Sequence, residues 1–511
     1  MLDPLTRASF AADDVAGVAV LVSDIAASSH GYYPPGTRVG EVRSVLTSPP
    51  SSAQSTRHHG NRLLVAGIAA FAVAFGGWLA YLAIHPEDWT LNMIDLSVYR
   101  AGGFIVRGVG HVGSQHYYNG HLASPLYDWT RNGKDSLQFT YTPFAAVSFA
   151  LVSFLSTGVA TPVDTVVNFL ALMAAIWFTL GGLASQDGHS RDRRAKIGAM
   201  LLGTAAVIWT EPVFRTIYLG QINLILMAAI LWDLCQPDER RNKGFVTGIA
   251  AGIKLVPLIF IPYLLITRKF RQAGMAVAGF AATLLVGFAV LPKDSSKYWF
   301  GGLFAQGGRT GFTGWLGNQS LDGIITRLAG SINAAKPIWI VASIVVVIAG
   351  IYCAMLLYRA GHTLPAILLT ALTGDLVSPI SWDHHWVWIA PGLVVAAHYA
   401  VKAWQAGRKR AAAMFTAAVV AILALFAAWP GALWGEPMDD KNTFYLGIIW
   451  NPPNSNPFKT YYLYRDQPWY VEYHWHGLQL LTGNAYILGG LAAFLCLVLI
   501  AVTSIGAPRE R

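Results

Sequence analysis

Charge is what this chain has least of. Lys, Arg, Asp and Glu make up only 12% of its 511 residues, against roughly 25% in an average soluble domain. With 54% hydrophobic residues and a mean hydropathy of +0.45, it cannot cover its apolar surface as a soluble protein would. Cysteine is almost as scarce. Cys235, Cys353 and Cys496 fall inside or at the ends of apolar runs, with neither metal-site spacing nor a place in an extramembrane loop. A disulfide scaffold and a cysteine metal centre are therefore excluded. No charged segment followed by a cleavage site opens the chain, so no signal peptide is expected. Acidic residues number 27 against 36 basic ones, a net charge of +9. The basic residues gather between apolar runs, which reads as loops held against anionic lipid rather than as a nucleic-acid footprint.

What the sequence does have is apolar runs of about 20 residues, the length needed to cross a bilayer. Residues 1–60 are a polar tail with scattered Ser, Pro and Gly, expected to be disordered and cytoplasmic. Residues 61–505 form the membrane domain, and 506–511 a short cytoplasmic tail. Arg57, His58, His59 and Arg62 place the first span's start inside. Ten spans follow, near 63–84, 164–184, 197–210, 217–235, 273–291, 338–358, 363–380, 386–402, 411–429 and 484–504. Segment 143–156 is too short to cross and is laid along the outer leaflet. Segment 245–267 has basic residues at both ends and Gly252, Lys254 and Pro257 in its middle, the mark of a broken or re-entrant pair. The fold class is thus an all-α polytopic membrane protein of about 10–12 helices with a long first outer loop.

Polar side chains collect on the outer face. Asp95, Tyr99 and Arg100 open the first loop, and Asp95 sits where membrane gives way to water, a costly place for an unused carboxylate. As a helix cap it would need no further role. Tyr99, four residues on, shares its helical face, and Gly102-Gly103 allow a close approach. Phe139-Thr140-Tyr141-Thr142-Pro143 follows, then Glu211 and Arg215, which at this spacing also suit a helix-surface pair. Gln221 and Asn223 fit either a site or glue between helices, and Lys254 either a site or a snorkelling cation. Trp315, Asn318 and Gln319 lie in the middle loop, the last two also able to make their own turn. Trp382, Asp383, His384, His385 and Trp386 come last. Adjacent histidines point apart on a helix, so they suit phosphate contact better than a shared metal.

Taken in order, Asp95-Leu96-x-Val98-Tyr99-x-x-Gly102-Gly103, Phe139-Thr140-Tyr141-Thr142-Pro143, Gly220-Gln221-Ile222-Asn223, Gly252-Ile253-Lys254-Leu255-Val256-Pro257 and Ser378-Pro379-Ile380-Ser381-Trp382-Asp383-His384-His385-Trp386 resemble glycosyltransferase family 87 over roughly residues 62–505. These are type-C (GT-C) membrane enzymes of actinobacteria that take mannose from polyprenyl-phosphate-mannose. The resemblance implies inverting transfer from a β-linked lipid phosphate to an α-mannoside, on the periplasmic face of the plasma membrane. The acceptor would be a mannosylated glycolipid of the phosphatidylinositol mannoside or lipomannan type, joined α-1,2. It maps the base onto Asp95 and the donor-phosphate contacts onto His384 and His385, with no metal or other cofactor.

Physics supports that division. A carboxylate can take the acceptor's proton as the C1–O bond breaks, and the departing phosphate needs cations or hydrogen-bond donors. Lys254, Arg100 and Arg215 join the histidines as phosphate candidates. Tyr99, Tyr141, Gln221, Asn223, Trp315, Asn318, Gln319, Trp382 and Asp383 are the candidates for sugar and acceptor contact. Two other readings stay open, an arabinosyltransferase using a polyprenyl-phosphate-arabinose donor and a lipid or sugar transporter. Transporters favour inverted repeats and a midplane site, whereas the polar clusters here gather at one face.

Overall fold

The computed structural model describes residues 51–84, 93–109, 138–188, 192–428 and 467–503, with short stretches at 111–112, 115–116, 125–128 and 447–455. Most of the expected 1–60 tail, the tail at 506–511 and much of the expected last outer loop lie outside these residues. Helices make up nearly all of the regular structure; one pair of two-residue strands, His111–Val112 and Gln115–His116, forms an antiparallel hairpin in the first loop.

We number the helices that position the site as α1 (Ser51–Ile84), α2 (Ile94–Val106), α3 (Pro143–Phe149), α4 (Thr157–Gln186), α5 (Arg193–Val207), α6 (Glu211–Leu219), α7 (Asn223–Leu234), α8 (Phe245–Ile253), α9 (Phe260–Ile266), α10 (Phe270–Val290), α11 (Ile332–Arg359), α12 (Thr363–Val377), α13 (Ile389–Gln405), α14 (Lys409–Phe426) and α15 (Ala485–Thr503). Among the described residues seven helices are long and apolar enough to cross a membrane. They match seven of the ten predicted spans.

The other three differ in instructive ways. Helices α5 and α12 have 15 residues each, about 22 Å at 1.5 Å per residue, short of a roughly 30 Å hydrocarbon core. The span expected at 217–235 is a bent pair, α6 and α7, meeting at 113°. Its elbow is Gly220, at φ +68°, a left-handed conformation that suits glycine. A Cβ there would stand 2.6 Å from Leu96 Cβ and 2.8 Å from Met93 Sδ. Residues 143–156 form only α3 and a short turn at Val152–Phe154, neither long enough to span.

The broken pair is a re-entrant hairpin. Helix α8 rises to Lys254, whose extended backbone ends it. A turn at Val256–Ile259 and then α9 descend again. Lys243 and Lys269, at the two feet, both pair with Asp238, so both feet stand at one end of the bundle. The Asp233 carboxylate secures the first foot by accepting from Gly244 N, Thr247 N and Thr247 Oγ1 at 2.8–2.9 Å. At the tip, the Thr142 hydroxyl donates to Gly252 O.

That same end carries the cationic residues. Arg194 donates to Asn61, Lys402 pairs with Asp187, and the Lys269 ammonium lies over the Tyr358 ring. The opposite end carries α2, α3, the α6–α7 elbow, the hairpin tip and the turn before α13. A continuous apolar cluster fills the bundle between them, and a smaller one of Val98, Tyr99, Ile105, Phe139 and Phe149 lies under α2.

Candidate active site

The site begins where α2 begins. Met93 takes the N-cap position in a left-handed conformation, and its N–H donates to Tyr218 O at 3.1 Å. The helix is thereby tied to α6. Asp95 falls inside the first turn, two residues past the N-cap position, so it is not the residue that caps the helix. His384, Gln221, Lys254 and Arg215 surround Asp95 and favour its ionised form. Burial raises the Asp95 pKa, and those neighbours offset it only in part.

One turn on, Tyr99 helps to aim Gln221. Its hydroxyl donates to Gln221 Oε1 at 2.7 Å, and the Tyr141 hydroxyl lies 2.8 Å from it and 3.2 Å from the same amide oxygen. The Gln221 amide oxygen is thereby held by two phenols. The face of Tyr99 stacks on Phe149, with ring centroids 4.2 Å apart, so that face is not open to a sugar. Gly102 and Gly103 serve this packing: a Cβ on Gly103 would stand 2.6 Å from Phe149 O.

The Asp383–Trp388 turn approaches from the other side. Its backbone is gripped at His384 O by Thr216 Oγ1 (3.0 Å) and Asn223 Nδ2 (2.9 Å). Asp383 pairs with Arg215 at 2.5 Å and stands 3.3 Å from His384 Nδ1. Arg215 also lies 3.6 Å from Glu211, whose carboxyl accepts from Trp450 Nε1 and Tyr486 OH. The Glu211–Arg215 pair is therefore a buried network that backs the turn, not a solvated surface bridge. The two histidine rings are 4.9 Å apart and nearly perpendicular, and His384 Nε2 has no hydrogen-bond partner among the described residues. Lys254, at the hairpin tip, donates to Asn223 Oδ1 at 2.7 Å, so Asn223 links the lysine to the His384 backbone. Among the described residues, no three His, Cys, Asp or Glu side chains converge as metal ligands.

Other candidates have structural employment. Arg100 spends its guanidinium on Thr157 Oγ1 and Leu155 O, both at 2.8 Å, which ties α2 to the start of α4. Asn318 bonds Thr313 O, Pro379 O and Ser381 N. Gln319 bonds Leu316 O, Gly483 O and Ile487 N. Both are fully buried and knit the middle loop to the Ser378–Asp383 strand-like segment. Trp315 leans on Trp450, and Trp382 packs under Gly311; both are half-buried.

The structure adds residues that sequence reasoning passed over. Trp450 and Tyr486 hold Glu211, from loops and a helix with no motif to mark them. Arg327, fully buried, clamps Gly314, Trp315 and Asn318 carbonyls to Asn484. Asp375 faces the Lys254 cavity. A lone acid in the apolar stretch Thr363–Val377 is the signal that would have found it.

The pattern of glycosyltransferase family 87 matches residues 139–379. The chain is 32% identical over 366 residues (71% of this chain and 79% of the relative) to a polyprenol-phosphate-mannose-dependent alpha-(1-2)-phosphatidylinositol pentamannoside mannosyltransferase of Mycobacterium tuberculosis. It is 33% identical over 343 residues (65% and 74%) to that organism's polyprenol-phosphate-mannose-dependent alpha-(1-2)-phosphatidylinositol mannoside mannosyltransferase. A pentamannoside mannosyltransferase of Mycolicibacterium smegmatis is 31% identical over 388 residues (74% and 85%). No solved structure matches the chain.

Proposed function

The chain belongs to glycosyltransferase family 87, and from that premise we propose that it transfers mannose from polyprenyl-phosphate-mannose to a mannosylated phosphatidylinositol lipid, forming an α-1,2 linkage. The observation that carries this reading is geometric: the start of α2, which bears Asp95, packs on the Gly220 elbow, and Asn223 just past that elbow joins the Lys254 ammonium to the His384 backbone. A base and phosphate-binding cations within one cleft are what the reaction needs.

In the proposed step the acceptor hydroxyl oxygen attacks C1 of the mannose from the face opposite the phosphate. The new C1–O bond forms as the old one to the phosphate oxygen breaks, with inversion. The hydroxyl proton passes to Asp95, and the bonding pair stays on the phosphate. Gln221, its amide oxygen held by Tyr99 and Tyr141, stands next to Asp95. Lys254, His384 and His385 meet the charge that grows on the phosphate, while Arg215 and Asp383 keep the histidine turn in register. Leu226, Ile230, Val256 and Phe260 line the apolar wall of the cavity below Lys254, a surface suited to the first isoprene units. The cation-rich end lies in the cytoplasm by the positive-inside rule, which puts the cleft on the extracytoplasmic face of the plasma membrane.

The test uses purified protein in vesicles with labelled donor and a phosphatidylinositol mannoside acceptor. The expected product is the acceptor extended by one mannose, sensitive to an α-1,2-mannosidase. Transfer only from polyprenyl-phosphate-arabinose would move the enzyme to pentose chemistry, and movement of labelled lipid across the bilayer without transfer would make it a transporter.

A further inference from the structure

Beneath the cleft, Asn223, Lys254 and His385 share a cavity with a second carboxylate, Asp375. It sits near the end of α12, in a sequence otherwise free of charge, and is buried. Two features set it there. Gly374 allows α12 to press on the hairpin tip: a Cβ at that position would already stand 3.2 Å from Val256 Cγ1 and 3.3 Å from Ile259 Cγ2. The backbone oxygen of Asp375 accepts from Ser381 Oγ at 2.7 Å, which couples the end of α12 to the histidine turn. Among the described residues neither a hydrogen bond nor an ion pair engages the Asp375 carboxyl, which lines the same cavity as Lys254.

An acid in this place is unhelpful to an enzyme that must bind a phosphate, unless it has a use. The donor is a phosphodiester with one negative charge. The product, polyprenyl phosphate, is a monoester that carries about −1.5 to −2 at neutral pH. A lysine acting alone would hold the product more tightly than the donor, and turnover would stall. A fixed carboxylate on the same cavity repels the second charge more than the first and offers the lysine another partner.

We propose that Asp375 is a positioning residue, the counter-charge of Lys254 across this cavity: it competes with the phosphate for the ammonium, so that the more highly charged product is expelled. This rests on the reading above that Lys254 meets the donor phosphate.

The experiment is product inhibition by polyprenyl phosphate, measured with the full-length protein in vesicles. Asp375→Asn is expected to lower the inhibition constant on the order of tenfold, the scale of one charge interaction at a partly screened site. It should lower kcat in parallel, with a smaller fall in the donor KM. Asp375→Glu should restore product release. In a Lys254→Gln background, Asp375→Asn should no longer change the inhibition constant. A residue that merely stabilises the fold would lower the yield and the melting temperature and leave the inhibition constant as it was. That result, in well-folded Asp375→Asn or in Asp375→Ser should the Asn protein not fold, overturns the proposal. Lys254→Gln alone tests the reading beneath it: unchanged donor KM and unchanged product inhibition would remove the phosphate from Lys254 altogether.

Discussion

Asp95 is the residue on which the proposed chemistry turns, and its surroundings make its contribution separable from stability. Asp95→Asn keeps the shape and a hydrogen bond but cannot take a proton, so turnover should drop about 10²–10⁴-fold, the range for a positioned base. Burial raises its pKa in the folded protein above the unfolded value. The sign for stability follows: such a group favours the fold when protonated, and that contribution is lost as pH rises through the folded pKa. At neutral pH the ionised Asp95 therefore costs stability, and Asp95→Asn should melt no lower than wild type. A thermal melt beside the activity assay checks both halves; an inactive and destabilised mutant would point to a structural role instead. For the same reason the acid limb of kcat/KM against pH should lie above the ordinary aspartate value of about 3.9. A limb at or below that value would take the base away from Asp95. Asp95 stands out in the sequence because an acid at the membrane boundary needs a reason. The work of Arg100, Asn318 and Gln319 was not legible there, because polar residue types look alike until their partners, distant in the chain, are known.

Elements were legible in proportion to their length. Long apolar runs declared themselves, and the basic residues at both ends of 245–267 announced a segment that returns to its starting side. The bend between α6 and α7 was hidden because hydropathy continues through Gly220 while the backbone turns 113°. That turn is what brings Gln221 and Asn223 to the site rather than into a straight span. Gly220→Ala should therefore damage the elbow: it meets φ +68° and the Leu96 and Met93 side chains at 2.6 and 2.8 Å. The cost is expected to be about 1–3 kcal/mol or more, seen as a lower melting temperature together with lost transfer. Wild-type stability in that variant would show that the elbow relaxes at no cost. At the hairpin foot, Asp233→Ala removes an acceptor from three donors, two of them backbone N–H groups. An expected loss of about 1–3 kcal/mol per orphaned buried group should appear as a lower melting temperature; an unchanged melt would mean that water replaces the carboxylate.

For the whole molecule, the question is which way the bundle faces. Ser381, just before the histidine turn, is a poor site for probing this, since it is 1% exposed and a cysteine there would not meet a reagent. Exposed positions at each end serve instead. Ala305, in the loop that follows α10, lies at the end that holds the cleft, and Gln405, at the close of α13, lies at the cationic end; both are exposed. The native Cys235, Cys353 and Cys496 are first replaced by serine or alanine so that only the new thiol reports. With a membrane-impermeant maleimide on intact cells, Ala305→Cys should label and Gln405→Cys should not, until the inner membrane is opened. The physical basis is the clustering of Arg194, Arg240, Lys243, Lys269, Arg271 and Lys402 around the Gln405 end, since short loops rich in Lys and Arg stay in the cytoplasm. The orientation matters for the chemistry because it decides from which leaflet donor and acceptor enter. Labelling of Gln405→Cys in intact cells, with Ala305→Cys protected, would invert the bundle and require a donor presented in the cytoplasmic leaflet. Labelling of both would show that the cationic end is not sealed from outside, and the extracytoplasmic reading of the cleft would lose its support.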